Sequence, residues 1–283
     1  MTIVIARRRG SEILLLADTK VDDPAKTGPD VMPGRLKLVA LGNKITVAFA
    51  GLADPAIVEV RKAAKLAAKP DLRGIVELLR QSSENQDIDY LIASHVAGSE
   101  LLRVKNGVAL DVPDVCAIGD DEPFRDLIEK ARTASDEPLF KSDLRSRFFD
   151  RLMTNRNLGP HVGGFPIALG ATAEAHRYLG QSGFYTYKFP KLEWGKTTYQ
   201  SVDEIYSGEG HFQLSVTPPE MPDVPVVGVS LLQARTGYVF SPLKHDQAVR
   251  ILLIEANEPW EGKEQEMYGK LKLSIAEHAA AVA

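Results

Sequence analysis

The chain has 283 residues, 44% hydrophobic and 25% charged, with a formal net charge of -4; this is the composition of a globular chain able to bury a large core, and it excludes the disordered and fibrous classes. The slight excess of acid argues against a broad cationic footprint for nucleic acid or anionic lipid, and no apolar run is long enough to span a bilayer. A single cysteine, Cys116, excludes an intrachain disulfide framework and a cysteine-held structural zinc, and points to a reducing, cytoplasmic setting.

Residues 2–8 and 11–18 read as a hairpin of two strands about Gly10, with Ile13-Leu14-Leu15-Leu16-Ala17 apolar enough to be buried on both faces. Because Met1-Thr2-Ile3-Val4 runs straight into Arg7-Arg8-Arg9-Gly10, the start of the chain is expected to belong to the fold rather than to a secretory leader. Residues 22–34 collect Asp, Pro and Gly and read as a loop, after which 36–41 and 45–50 form a second hairpin around Gly42-Asn43. Helical spacing follows over 54–68 and 71–84. Residues 89–96, 100–105 and 113–118 read as strands, and 122–134 and 144–155 as helices. Beyond Gly163 the pattern loosens: 165–172 and 184–189 are expected strands, 191–225 is irregular, 226–233 and 237–241 are a further strand pair, and a helix closes the chain from about 263 to 282. The order of strands, helix pair, strands, helix pair predicts an α+β fold of layered α/β/β/α type.

The chemistry concentrates near the start. A small second residue permits removal of Met1, which would leave Thr2 with a free α-amine able to serve as base for its own hydroxyl. A threonine hydroxyl is a weak nucleophile, so such a site needs a cation to favour its deprotonation and a carboxylate to hold that cation. Asp18, at the end of the second strand, and Lys37, between Leu36 and Leu38, have that chemistry, and the two hairpins can bring both to Thr2. Gly51, at the strand-to-helix junction, allows close backbone approach and an N–H donor for an oxyanion. Each residue also has a plainer reading: Asp18 as a turn cap, Lys37 as a strand residue reaching solvent, Gly51 as a turn glycine.

Together these segments, Thr2-Ile3-Val4 with Arg7-Arg8-Arg9-Gly10, Leu16-Ala17-Asp18-Thr19, Lys37-Leu38 and Phe49-Ala50-Gly51-Leu52-Ala53-Asp54, resemble the N-terminal half of proteasome β-subunits. They are closer still to the bacterial proteasome-like peptidase that works with an unfoldase ring and to the divergent ancestral-β-subunit branch. The resemblance implies a four-layer α/β/β/α N-terminal-nucleophile (Ntn) hydrolase domain over 1–190, with 191–283 as added strands and a C-terminal helix. It implies a threonine peptidase in which Thr2, Asp18, Lys37 and Gly51 are nucleophile, orienting acid, charge and oxyanion donor, and in which Arg35, Phe49 and Ala53 line the substrate pocket. It implies a homo-oligomeric ring or open spiral, peptide substrates, an ATP-dependent unfoldase or other gate, and no metal or organic cofactor. The sequence departs from the family where Asp120 stands for a turn serine and where Gly159 and Val162 stand for an Asp and a Ser ahead of Gly163-Gly164. Two other readings keep the fold: a catalytically silent structural subunit, and an amidase for one small molecule.

The remaining candidates read as structural. His95, His161, His176, His211 and His245 lack metal-ligand spacing, Cys116 reads as a small buried hydrophobe, and Asp120-Asp121-Glu122 reads as a helix start where carboxylates meet the positive end of the dipole.

Overall fold

The computed structural model describes residues 2–21, 34–133, 138–141, 143–154, 158, 162–188, 209–220, 224–255 and 257–282. The opening hairpin pairs β1 (Ile3–Arg9) with β2 (Glu12–Ala17) from Val4 opposite Ala17 to Arg9 opposite Glu12, and Gly10 supplies the positive φ of 58° that so short a loop needs. Ile3 to Ala6 and Ile13 to Ala17 are all fully buried, as the apolar runs require. This hairpin is the middle of a first antiparallel sheet, ordered β10-β9-β2-β1-β8 with β8 (Val115–Gly119), β9 (Ile167–Ala171) and β10 (His176–Tyr178).

The second sheet is a meander of β3 (Leu38–Ala40), β4 (Ile45–Gly51), β5 (Ile88–Ser94), β6 (Glu100–Lys105) and β7 (Val108–Asp111). Its period-2 pattern divides two faces. Val39, Val47, Phe49, Tyr90, Ile92 and Val104 pack against α1 (Ala53–Ala67) and α2 (Leu72–Asn85), the latter capped by Asp71 accepting from Gly74 N at 2.8 Å. The alternate residues Leu38, Ala40, Ala48, Ala50, Leu91 and Ala93 share one core with the first sheet, α3 (Arg125–Thr133) and α4 (Asp143–Thr154).

A third antiparallel sheet runs β11-β12-β13-β14-β15, with β11 (Gln181–Lys188), β12 (Glu209–Thr217), β13 (Val227–Leu231), β14 (Thr236–Phe240) and β15 (Val249–Leu252). Val239 and Leu253 pack on Met267, Leu271 and Ile275 of α5 (Glu264–Ala280), whereas Leu214, Val216, Val229, Tyr238 and Phe240 join the large core. The chain is therefore mixed α/β, with three antiparallel sheets and five α-helices among the described residues. None of those helices is long and apolar enough to cross a membrane.

Four strands go beyond the sequence reading. β7 follows a two-residue turn in which Asn106 and Gly107 both have positive φ, 50° and 73°, a hairpin signal hidden because Val108 and Leu110 face outward on an edge strand. β10 is only three residues long, β15 alternates between half-buried and exposed, and β12 occupies part of the stretch read as irregular. The third sheet also takes its first strand from residues 181–188, so the division at 190 falls inside the β11–β12 connection. Residues 122–124 form a 3-10 turn leading into α3 rather than the first turn of one long helix.

Candidate active site

Strand register brings the three opening candidates together. Asp18 follows β2 directly, and its backbone N–H extends the ladder to the Ile3 carbonyl at 3.3 Å, which places its side chain beside Thr2. Lys37 immediately precedes β3, and its carbonyl accepts from Phe49 N at 3.2 Å, continuing the second sheet to the same end of the molecule. Contact between the two sheets then closes a triangle of side chains. Lys37 Nζ donates to Asp18 Oδ1 at 2.8 Å and to Thr2 Oγ1, while Thr2 Oγ1 donates to Asp18 Oδ1. Thr2, Asp18 and Lys37 are 2%, 0% and 2% exposed, so the plainer reading of Lys37 as a solvent-reaching strand residue does not hold.

The Asp18 carboxylate is held on both oxygens: Oδ1 also accepts from Ile3 N at 3.2 Å, and Oδ2 accepts from Gly163 N at 3.0 Å. A buried carboxylate is stable when its lone pairs are taken by donors and a cation, as here. The same arrangement sets Lys37 Nζ against the Thr2 hydroxyl oxygen as a hydrogen-bond donor.

Thr2 and Lys37 open onto a cavity of about 170 Å³ lined also by Lys20, Val21, Phe49, Gly51, Leu52, Ala53 and Asp87. Gly51 ends β4 at φ 107°, and a Cβ there would lie 2.1 Å from the Asp87 carbonyl oxygen, so the backbone itself demands glycine. Phe49 belongs both to the core under α1 and to the cavity wall, and Ala53 opens α1 at its rim. Arg35 pairs its guanidinium with Asp54, its backbone N–H donates to Thr19 O at 2.7 Å, and it is not among the residues lining this cavity. Lys20, Val21, Leu52 and Asp87 were not assigned to the site from sequence; Leu52 lies within a motif and Lys20 and Val21 directly follow one, but nothing local marks Asp87, which arrives through the β4–β5 pairing.

The departures from the family pattern have structural settings. Asp120 presents its backbone N–H to Thr2 O at 2.6 Å, and Gly119, at φ 89°, would carry a Cβ only 1.8 Å from that oxygen. Val162 is 3% exposed in the large core, while Gly159 and His161 lie outside the described residues. Cys116 is buried, and burial raises its thiol pKa, which keeps it protonated and unreactive. His95 and His176 form a bonded pair between the two sheets, with His95 Nδ1 and His176 Nε2 2.8 Å apart. The histidine at 211 lies on β12 with its side chain outside the described residues, and His245 meets His278 edge-on at 5.4 Å. No group of three metal-ligating side chains occurs among the described residues. No protein-family model matches the chain, and no curated protein matches it.

Proposed function

We propose that the chain is an N-terminal-nucleophile hydrolase whose first two sheets and their flanking helices are the four α/β/β/α layers of that fold, and that it acts as a threonine peptidase. The observation that carries this reading is the buried Thr2–Lys37–Asp18 triangle at the wall of a cavity that Gly51 also lines. Once Met1 is removed, Thr2 Oγ attacks a peptide carbonyl carbon while its proton passes to the Thr2 α-amine. The Gly51 N–H meets the oxyanion, and collapse expels the amine product, which takes up that proton. Water, activated by the same α-amine, then attacks the ester and releases the acid. Lys37 holds the hydroxyl in a positive field, Asp18 holds Lys37, and no metal or organic cofactor enters the cycle. A cavity of about 170 Å³ is comparable to one that admits a benzene ring, so it suits one mid-sized side chain next to the scissile bond. The family resemblance supports assembly into a ring or open spiral of identical subunits gated by an unfoldase, in the cytoplasm.

A silent structural subunit is the second reading, favoured by the core side chain of Val162 where the family carries a supporting serine. Intact mass spectrometry before and after an epoxyketone or β-lactone directed at N-terminal threonine separates the two. The peptidase reading expects loss of Met1 and one adduct that Thr2→Ala abolishes. Retained Met1 with no adduct overturns it in favour of the scaffold.

A further inference from the structure

The third sheet lies beyond the segments that resemble the peptidase family, yet it reaches the candidate site through one short segment. Residues 18, 19 and 20 each grip the stretch 163–165: Gly163 N donates to Asp18 Oδ2 at 3.0 Å, Phe165 N donates to Thr19 Oγ1 at 2.8 Å, and Lys20 N donates to Gly163 O at 3.2 Å. Gly164, at φ 73°, makes the turn that lets both amides face the same strand end. The Phe165 ring is fully buried against β14, 5.7 Å from the Tyr238 centroid and 6.4 Å, edge-on, from that of Phe240.

This geometry bears on Asp18 because its two oxygens have different holders. Oδ1 collects Thr2, Lys37 and the Ile3 amide, whereas Gly163 N is the bond that fixes Oδ2 and with it the plane of the carboxylate. If the amide withdraws, the carboxylate can turn about its Cβ–Cγ bond and the bonds to Lys37 and Thr2 lose their alignment.

We propose that Tyr238 and Phe240 of the third sheet are positioning residues for Thr2: by seating Phe165 they hold the Gly163 amide on Asp18 Oδ2 and keep the catalytic triangle aligned. The C-terminal part of the chain is on this view a support of the active site, and a load that shifts β14 changes the reactivity of Thr2. The proposal rests on the hydrolase reading for its catalytic meaning, and on the contacts alone for its structural one.

The test compares Tyr238→Leu, which removes the ring, with Tyr238→Phe, which keeps it, in the full chain. Two quantities are read: hydrogen exchange of the Gly163 amide by NMR, with the amide of the buried Ile92 on β5 of the second sheet as a reference, and the rate at which a β-lactone labels Thr2. Tyr238→Leu is expected to speed Gly163 exchange and slow labelling, each by about tenfold or more, the scale of one hydrogen bond to a charged acceptor. Tyr238→Phe restores wild-type values, and Ile92 exchange is unchanged in both. Unchanged Gly163 exchange in Tyr238→Leu overturns the proposal, and so does faster exchange shared by Ile92, which marks general loosening. Labelling that stays at the wild-type rate while Gly163 is released overturns the positioning role. A wild-type chain that takes no label fails the hydrolase reading instead, and Gly163 exchange then decides the structural coupling alone.

Discussion

Lys37 and Asp18 show why a motif of three residues carries more than its members. Each is 2% exposed or less, and a buried charge is costly unless a partner and further hydrogen bonds compensate it. Removing one partner is therefore expected to cost more than removing both. Lys37→Met should lower the unfolding free energy by about 3–5 kcal/mol, while Lys37→Met with Asp18→Asn recovers part of the loss; urea titration of these two variants and of Asp18→Asn alone measures this, and strictly additive losses would show that the pair is not coupled. Gly51→Ala is a sharper local test. Its φ of 107° and the 2.1 Å approach of a Cβ to the Asp87 oxygen predict a loss of about 1–3 kcal/mol whether or not the site is catalytic. An equally stable alanine variant would contradict the backbone geometry. At this scale the sequence was informative because Thr2, Asp18 and Lys37 lie at strand ends within the first two hairpins, where register follows from short turns. Arg35 stands outside the set of residues lining this cavity, with its guanidinium paired to Asp54 next to the lining residue Ala53.

The elements couple through a second buried polar group far from Thr2. His95 Nε2 lies 2.7 Å from the Ser11 carbonyl, an acceptor only, so that nitrogen must carry a proton; His95 Nδ1 then accepts from His176 Nε2, and His176 Nδ1 accepts from the Thr46 hydroxyl at 2.8 Å. The chain of bonds joins the β1–β2 turn, β4, β10 and the end of β5. Burial first, then the neighbouring His95 and Lys44, lowers the His176 pKa to about 3 from 6.5. The sign follows: below pH 6.5 the unfolded chain takes up a proton that the folded one refuses, so the stabilisation present at neutral pH is lost as pH falls. Each unit of pH below 6.5 should cost about 1.4 kcal/mol from this group until pH nears 3. Urea midpoints from pH 7 to 4.5 measure the slope; His176→Gln should flatten it, and an unaltered slope would place the titration elsewhere. Sequence treated these histidines singly because 81 residues separate them, and only the stacking of two sheets makes them a pair. The missed strands have the same cause. β7, β10 and β15 are short or edge strands whose outward residues erase the apolar alternation, whereas β1 and β2, enclosed by the first sheet's other strands and packed on both faces, are unmistakable in the chain.

At the scale of the whole molecule, the question is whether the part after residue 190 is a passenger or a component. The composition of 191–225, rich in Pro, Gly and aromatics, hid β12, and the period of the later strands gave no sign of what they pack against. The core answers that. Leu214, Val216, Val227, Val229, Leu231, Tyr238 and Phe240 are buried with the residues of β1, β2 and β9, so separating the third sheet would expose apolar surface on both sides of the break. Gly228 and Gly237 face α5 so closely that a Cβ at Gly228 would lie 2.4 Å from Ile275 Cδ1, which ties the last helix to the same sheet. A shared core predicts shared unfolding. Both tryptophans, Trp194 and Trp260, follow residue 190, so their fluorescence reports the C-terminal part while far-UV circular dichroism reports the whole chain. In a urea titration the two signals should give one midpoint and one slope, and Val229→Ala should move both midpoints together by an amount typical of a buried methyl deletion, about 1–3 kcal/mol. A fluorescence transition at lower urea than the dichroism transition would mean that the third sheet opens on its own, and a sheet that opens on its own could not hold Phe165, Gly163 and Asp18 in register.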